Sequence, residues 1–196
     1  MIRSCGEWFL DLLEKCELFA KKKRFGTTVK GSTPHSKHLE DVVNRLKSLG
    51  VIDQEILCAG WLHDVMEDKD TSFDDLFEQF GSRIAVLVSS LSKDPSLPRK
   101  QQEAAYVKQL KESNIDSKLI LLCDISANLS DLKNNESSKS KKLRMIKQKR
   151  HHLTVIKNDL IGDRDHPKII TLIETINDIL RKWNQRPILA RVDTEF

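Results

Sequence analysis

The chain has little of what builds sheets, disulfide staples or membrane spans. Its 196 residues include one tyrosine, seven glycines and five prolines, and aromatic residues make up only 6%. With so few turn formers and aromatics, no stretch reads as a β-strand. No apolar run approaches the roughly 18 residues that a bilayer-crossing helix needs, so no membrane association is expected. Cys5, Cys16, Cys58 and Cys123 are scattered among apolar neighbours without a C-x-x-C pair. This spacing excludes a zinc ribbon or a disulfide framework and predicts buried, reduced thiols in a cytoplasmic setting. Glu7, Asp11, Glu14, Lys15 and Glu17 interrupt the first stretch, which therefore does not read as a secretory leader. A large charge excess is absent too: 33 Lys and Arg against 29 Asp and Glu leave +4. That is less than a dedicated binder of nucleic-acid polymers carries, but it suits a small anionic substrate in a locally basic cleft.

What is present is helical patterning. Charged residues at 32% and apolar ones at 39% recur with a period near 3.6, which predicts an all-α fold, one domain over 1–196 with about eight to ten helices. The first is expected from about Ser4 to Lys23, with Trp8, Leu12, Cys16 and Phe19 inward. Ser32-Thr33-Pro34 opens the next, whose stripe Leu39, Val42, Val43, Leu46 and Leu49 runs to Gly50. Asp53 reads as the N-cap of a third, Thr71 or Ser72 with Asp74 and Asp75 as a capping box, and Ser82 and Pro98 as further starts. Asp165 is expected to open the last helix, and 187–196 to fray.

One stretch concentrates chemistry: Leu62-His63-Asp64-Val65-Met66-Glu67-Asp68. Read as the continuation of the third helix, it stacks His63 with Glu67 and Asp64 with Asp68 one turn apart. One imidazole and three carboxylates need neutralising. Either cations from elsewhere in the chain do so, or the His-Asp pair holds a metal while Glu67 and Asp68 handle protons. A second carboxylate, Asp124, lies in the most apolar stretch, 118–132, where it needs either a metal or a hydrogen-bonded partner, and Asn128 follows it by one turn. His35 and His38 precede the second helix's stripe; spacing does not choose between them, although His38 adjoins the stripe and His35 reads as facing water. Lys22, Lys23 and Arg24 lead into a loop around Gly26 and Gly31, which reads equally as a phosphate grip or a solvated loop. Arg99 and Lys100 follow the Pro95–Pro98 breaker. The cations from Lys139 to Arg150 read as a solvated face, and His151 and His152 as ordinary exposed or half-buried histidines.

His38, His63-Asp64 and Asp124 together resemble the His…His-Asp…Asp pattern of the HD-domain phosphohydrolases. The resemblance is nearest to the hydrolase domain of the RelA/SpoT-type guanosine tetraphosphate (ppGpp) enzymes and their small stand-alone relatives. Three motifs over about 19–132 carry it, with helices over 141–183 expected to pack on that core. Thr33-Pro34 and His38 resemble Thr-Pro-Tyr-x-x-His, which favours His38 and puts His35 in the tyrosine's place. Cys58-Ala59-Gly60-Trp61-Leu62-His63-Asp64-Val65-Met66-Glu67-Asp68 is similar to Ala-Ala-Leu-Leu-His-Asp-Thr-Val-Glu-Asp. Leu122-Cys123-Asp124, Asn128-Leu129 and Asp131-Leu132 match Leu-Ala-Asp-Lys-Leu-Tyr-Asn-Leu-Arg-Asp-Leu, except that Ile125 and Ala127 stand for the Lys and Tyr and Ser130 for the Arg.

The resemblance implies His38, His63, Asp64 and Asp124 as metal ligands and Glu67 and Asp68 as proton-transfer groups, Glu67 the more direct. The family's basic loop is not reproduced in order, and Lys22, Lys23 and Arg24 lie a few residues before its place; with Arg99, Lys100 and Asn128 they are the candidates for substrate contacts. The mixed donor set suits a borderline ion, Mn²⁺ first, with Fe²⁺ or Zn²⁺ as alternatives. The implied reaction removes the 3′-pyrophosphate of ppGpp. Ile125 and Ala127 motivate a second expectation, a phosphomonoesterase acting on a nucleoside monophosphate or NADPH; a third is a nucleotide-binding HD protein without turnover.

Overall fold

The computed structural model describes residues 11–23, 28–29, 33–67 and 70–188. Among them the order is α1 (Leu12–Lys23), β1 (Thr28–Val29), β2 (Thr33–Pro34), α2 (His35–Leu49), α3 (Gln54–Leu62), α4 (Phe73–Phe80), α5 (Ser82–Leu91), α6 (Arg99–Glu112), α7 (Ile115–Ser130), α8 (Lys139–Ile161) and α9 (Ile169–Lys182). The all-α expectation is met. The one addition is a two-residue antiparallel ladder pairing Thr28 with Pro34 and Val29 with Thr33, too short to leave any periodicity in the sequence.

The caps explain the boundaries. Asp53 accepts from the Glu55 and Ile56 amides, and Ser72 and Asp75 complete a capping box, so each satisfies donors that the first turn leaves open. Gly50, at φ 98°, closes α2 with its N–H on the Leu46 and Lys47 carbonyls, a left-handed geometry that costs glycine little. The start expected near Ser4 lies outside the described residues. At Leu12, Asp11 and Glu14 exchange hydrogen bonds across the first turn of α1.

The core is built on α7. Every residue from Ser117 to Ala127 is buried, because α7 packs against α2, α3, α5, α8 and α9. From Ile56 to Leu62, α3 is likewise buried throughout. It meets α2 closely: a Cβ on Gly60 would lie 2.8 Å from Leu46 Cδ1 and 3.3 Å from Val43 Cγ2. Cys16, Cys58 and Cys123 are buried free thiols, as expected, and burial pushes Cys123 above the usual thiol range.

Two expectations are corrected at the C-terminal end, the second at Ile188 alone because 189–196 lie outside the described residues. The last helix begins at Ile169 because Asp163 caps a separate turn before it, accepting from the Asp165 amide and pairing with His166. Ile188, expected to fray, is buried at 3% exposure. The Asn177 amide pins it, donating to Ile188 O at 3.0 Å and accepting from Ile188 N at 2.7 Å. Sequence periodicity carries no sign of such a side-chain ladder. Asn177→Ala leaves a buried backbone donor and acceptor unpaired and is expected to lower stability by about 2 kcal/mol, read as a drop in Tm of several degrees.

Candidate metal centre

The third helix does not continue through the charged stretch. α3 stops at Leu62, His63 and Asp64 form a turn, and Val65–Glu67 is a single 3₁₀ turn. The expected stacking of His63 with Glu67 along one helix is therefore corrected, whereas the pairing of Asp64 with Asp68 lies outside the described residues. His63 Nδ1 lies 2.8 Å from the Gly60 carbonyl oxygen. A carbonyl only accepts, so Nδ1 carries the proton and Nε2 is the atom presented to the interior.

Three helices converge on that nitrogen. His38 Nε2, from α2, lies 3.2 Å from Asp124 Oδ1 and 3.9 Å from Asp64 Oδ2. His63 Nε2 lies 3.2 Å from Asp64 Oδ1 and 3.6 Å from Asp124 Oδ1. One ligand atom each of His38, His63 and Asp124 falls within 4.8 Å of the others, a group that can hold a metal ion. His63 Nε2 is buried with no hydrogen bond. A neutral ring there points a lone pair at two carboxylates, which is tolerable only with a cation between them. Imidazole nitrogen with carboxylate oxygen fits a borderline divalent ion.

Without an ion, protons take its place. Burial alone would lower the His63 pKa, but the Asp64 and Asp124 charges overcome it and push it up to about 9. Asp64 is held below the usual carboxylate range: burial opposes this, and the His63 charge and the approach of His35 to 3.3 Å outweigh it. Asp124 is lowered in the same sense, burial being outweighed by Lys149 and then by His38 and His63.

His35 does not face water. Its side chain is 12% exposed and its Nε2 lies 3.3 Å from Asp64 Oδ2. As the first residue of α2 it shares a face with His38, three residues on, a spacing that signalled this placement. Lys149, read as part of a solvated face, instead donates to Asp124 Oδ2 at 2.6 Å. Its neighbours Met145, His152, Leu153 and Ile156 are all buried, so Lys149 lies on the inward stripe of α8.

His152 is also interior, at 3% exposure. Its Nε2 lies 2.6 Å from Glu103 Oε1, and Lys93 and Gln148 donate to the same carboxylate. Tyr106 packs edge-on against the His152 ring. This hub ties α6 and α8 together and sets the register that carries Lys149 to Asp124.

The remaining candidates are placed less centrally. Glu67 is exposed at the end of its turn. Asn128 donates to Asp124 Oδ1 at 2.5 Å and to Asp124 O at 3.0 Å, so its amide nitrogen serves the carboxylate. Lys22 is exposed at the end of α1, and Lys23 Nζ donates to Asp70 O at 2.9 Å. Asp68 and Arg24 lie outside the described residues, and of Arg99 and Lys100 only the backbone in the first turn of α6 is described.

Residues 16–152 match the HD-domain family. The Homo sapiens guanosine-3′,5′-bis(diphosphate) 3′-pyrophosphohydrolase MESH1 is 33% identical over 129 residues, 65% of this chain and 72% of its own. The Danio rerio MESH1 is 37% identical over 101 residues, so the match spans 51% of this chain and 56% of that relative. The Aquifex aeolicus guanosine-3′,5′-bis(diphosphate) 3′-pyrophosphohydrolase is 24% identical over 201 residues, 94% of this chain but 29% of that protein. A solved structure of a metazoan SpoT ortholog, described as hydrolyzing ppGpp, superposes with a TM-score of 0.74 at 23% identity, covering 93% of this chain and 97% of that one. That likeness shows the shared fold. With that family model matching well over half of its residues, the chain belongs to the HD-domain family.

Proposed function

We propose that the protein is a metal-dependent phosphohydrolase that removes the 3′-pyrophosphate of ppGpp, giving GDP and pyrophosphate. The observation that carries this reading is the convergence of His38, His63, Asp64 and Asp124 within a chain whose relatives bear that activity in their names. The whole of 1–196 is taken as one catalytic domain acting in the cytoplasm on a small anionic nucleotide, not on a nucleic-acid polymer or a membrane. No described helix is long and apolar enough to cross a bilayer.

His38, His63, Asp64 and Asp124 hold the ion, Mn²⁺ in this reading with Fe²⁺ or Zn²⁺ as alternatives; when bound it supplies positive charge to a phosphoryl oxygen and acidifies water. Glu67, exposed at the end of the turn that follows Asp64, takes the proton from the attacking water. Asp68 returns one to the ribose 3′-oxygen as its bond to phosphorus breaks. Asn128 keeps Asp124 oriented through its nitrogen, leaving its oxygen for a ribose hydroxyl. Lys22, Lys23, Arg24, Arg99 and Lys100 are assigned to phosphate oxygens.

A specific observation favours a second reading. Ile125 and Ala127, at the family's Lys and Tyr positions, are buried at 0% and 4% exposure, so neither reaches a substrate. An HD phosphomonoesterase acting on a nucleoside monophosphate or NADPH, or a nucleotide binder without turnover, would lack those contacts. Product analysis separates the readings. Mn²⁺-loaded protein is incubated with ppGpp, a 5′-nucleoside monophosphate or NADPH, against a chelator-treated blank. Pyrophosphate from ppGpp alone is expected. Orthophosphate from either other compound keeps the centre and overturns the substrate, and no release from any of them favours the binder.

A further inference from the structure

We infer that Lys149 is a positioning residue that limits Asp124 to one ligand oxygen and, by its charge, holds the centre's affinity for a divalent ion down. The inference rests on the metal-dependent reading above. Asp124 divides its two oxygens between two cationic settings. Oδ1 faces His38 Nε2 at 3.2 Å and His63 Nε2 at 3.6 Å, whereas Oδ2 accepts from Lys149 Nζ at 2.6 Å. Asn128 fixes the same carboxylate from its own helix. Oδ1 keeps a lone pair beyond the one that Asn128 uses, whereas at Oδ2 the Lys149 ammonium sets a second cation against the ion, which opposes two-oxygen ligation by Asp124.

The Lys149 ammonium is not a surface charge that salt would screen. Its side chain is 19% exposed and that of Asp124 9%, and α8 is clamped in this register by the Glu103 contacts to Gln148 and His152. At such burial, two cations sharing one carboxylate repel strongly. Lys149 thus competes with the ion for Asp124's charge, and it also neutralises part of the carboxylate cluster when no ion is bound. The protein gains an ion-free centre that stays folded, at the expense of looser ion binding.

The test is calorimetric titration of chelator-stripped protein with Mn²⁺, with thermal melts beside it. Lys149→Met and Lys149→Gln are expected to tighten Mn²⁺ binding on the order of tenfold, while Lys149→Arg, which keeps the charge, stays near wild type. In chelator the Met and Gln variants should melt several degrees lower, and Mn²⁺ should restore them. The Gln variant keeps a donor for Oδ2 and guards against a Met variant that does not fold. Unchanged or weaker Mn²⁺ binding in the Met and Gln variants, with wild type binding normally, overturns the inference and leaves the metal reading standing. Failure of wild type to bind Mn²⁺, Fe²⁺ or Zn²⁺ overturns both.

Discussion

His63→Ala is expected to lower the rate of hydrolysis about 1,000-fold or more, because charge on the phosphoryl group is worth several kcal/mol of transition-state stabilisation. The imidazole is fixed at both ends, by Gly60 O on Nδ1 and by the carboxylates opposite Nε2, so no neighbour can replace it. Removing it also leaves Asp64 and Asp124 facing each other with one fewer cation, and Mn²⁺ binding should fall with the rate. The wild-type centre has a pH signature of its own. His63 rises from 6.5 to about 9 in the ion-free protein, so below pH 9 a proton occupies the place the ion needs. Ion affinity should climb about tenfold per pH unit as pH rises toward 9 and then level off. The sign for ion-free stability is opposite. The imidazolium contribution is complete below 6.5 and is lost as pH rises through about 9. Calorimetry across pH checks the first statement, and melts in chelator the second. A flat affinity profile would mean that the ion does not displace the His63 proton.

Glu67→Gln should separate chemistry from binding. Glu67 lies on the exposed end of the turn that follows Asp64, outside the group of converging ligand atoms. The amide keeps its size and loses its basicity, so kcat is expected to fall about 100- to 10,000-fold, while Mn²⁺ affinity stays within about twofold of wild type. Single-turnover rates alongside calorimetry read both quantities. A variant that loses the ion together with the rate would move Glu67 into the ligand set.

Much of the centre was legible because its residues stand at contrasts in the sequence. Asp124 is a lone carboxylate in an apolar helix, and His63-Asp64 follows the fully buried face of α3. Such placements are costly unless partnered, and their cost is visible without coordinates. Lys149 and His152 had no such contrast. Each sits in a run of cations and histidines that reads as a wet surface, and only the inward period of Met145, Leu153 and Ile156 marks the stripe they share. The early stop of α3 left no trace at all. There a side chain, His63, bonds the carbonyl of Gly60, a contact between ring and backbone that propensity does not encode. The missing Cβ of Gly60 is what admits Leu46 of α2.

The proposed ligands come from α2, from the turn after α3 and from α7, far apart along the chain. Such a site cannot exist until distant segments have docked, so it assembles on the native side of the folding barrier. A bound ion is therefore expected to act as a latch on the finished molecule and not as a nucleus for making it, slowing the rate at which the protein opens and leaving the rate at which it first folds almost untouched.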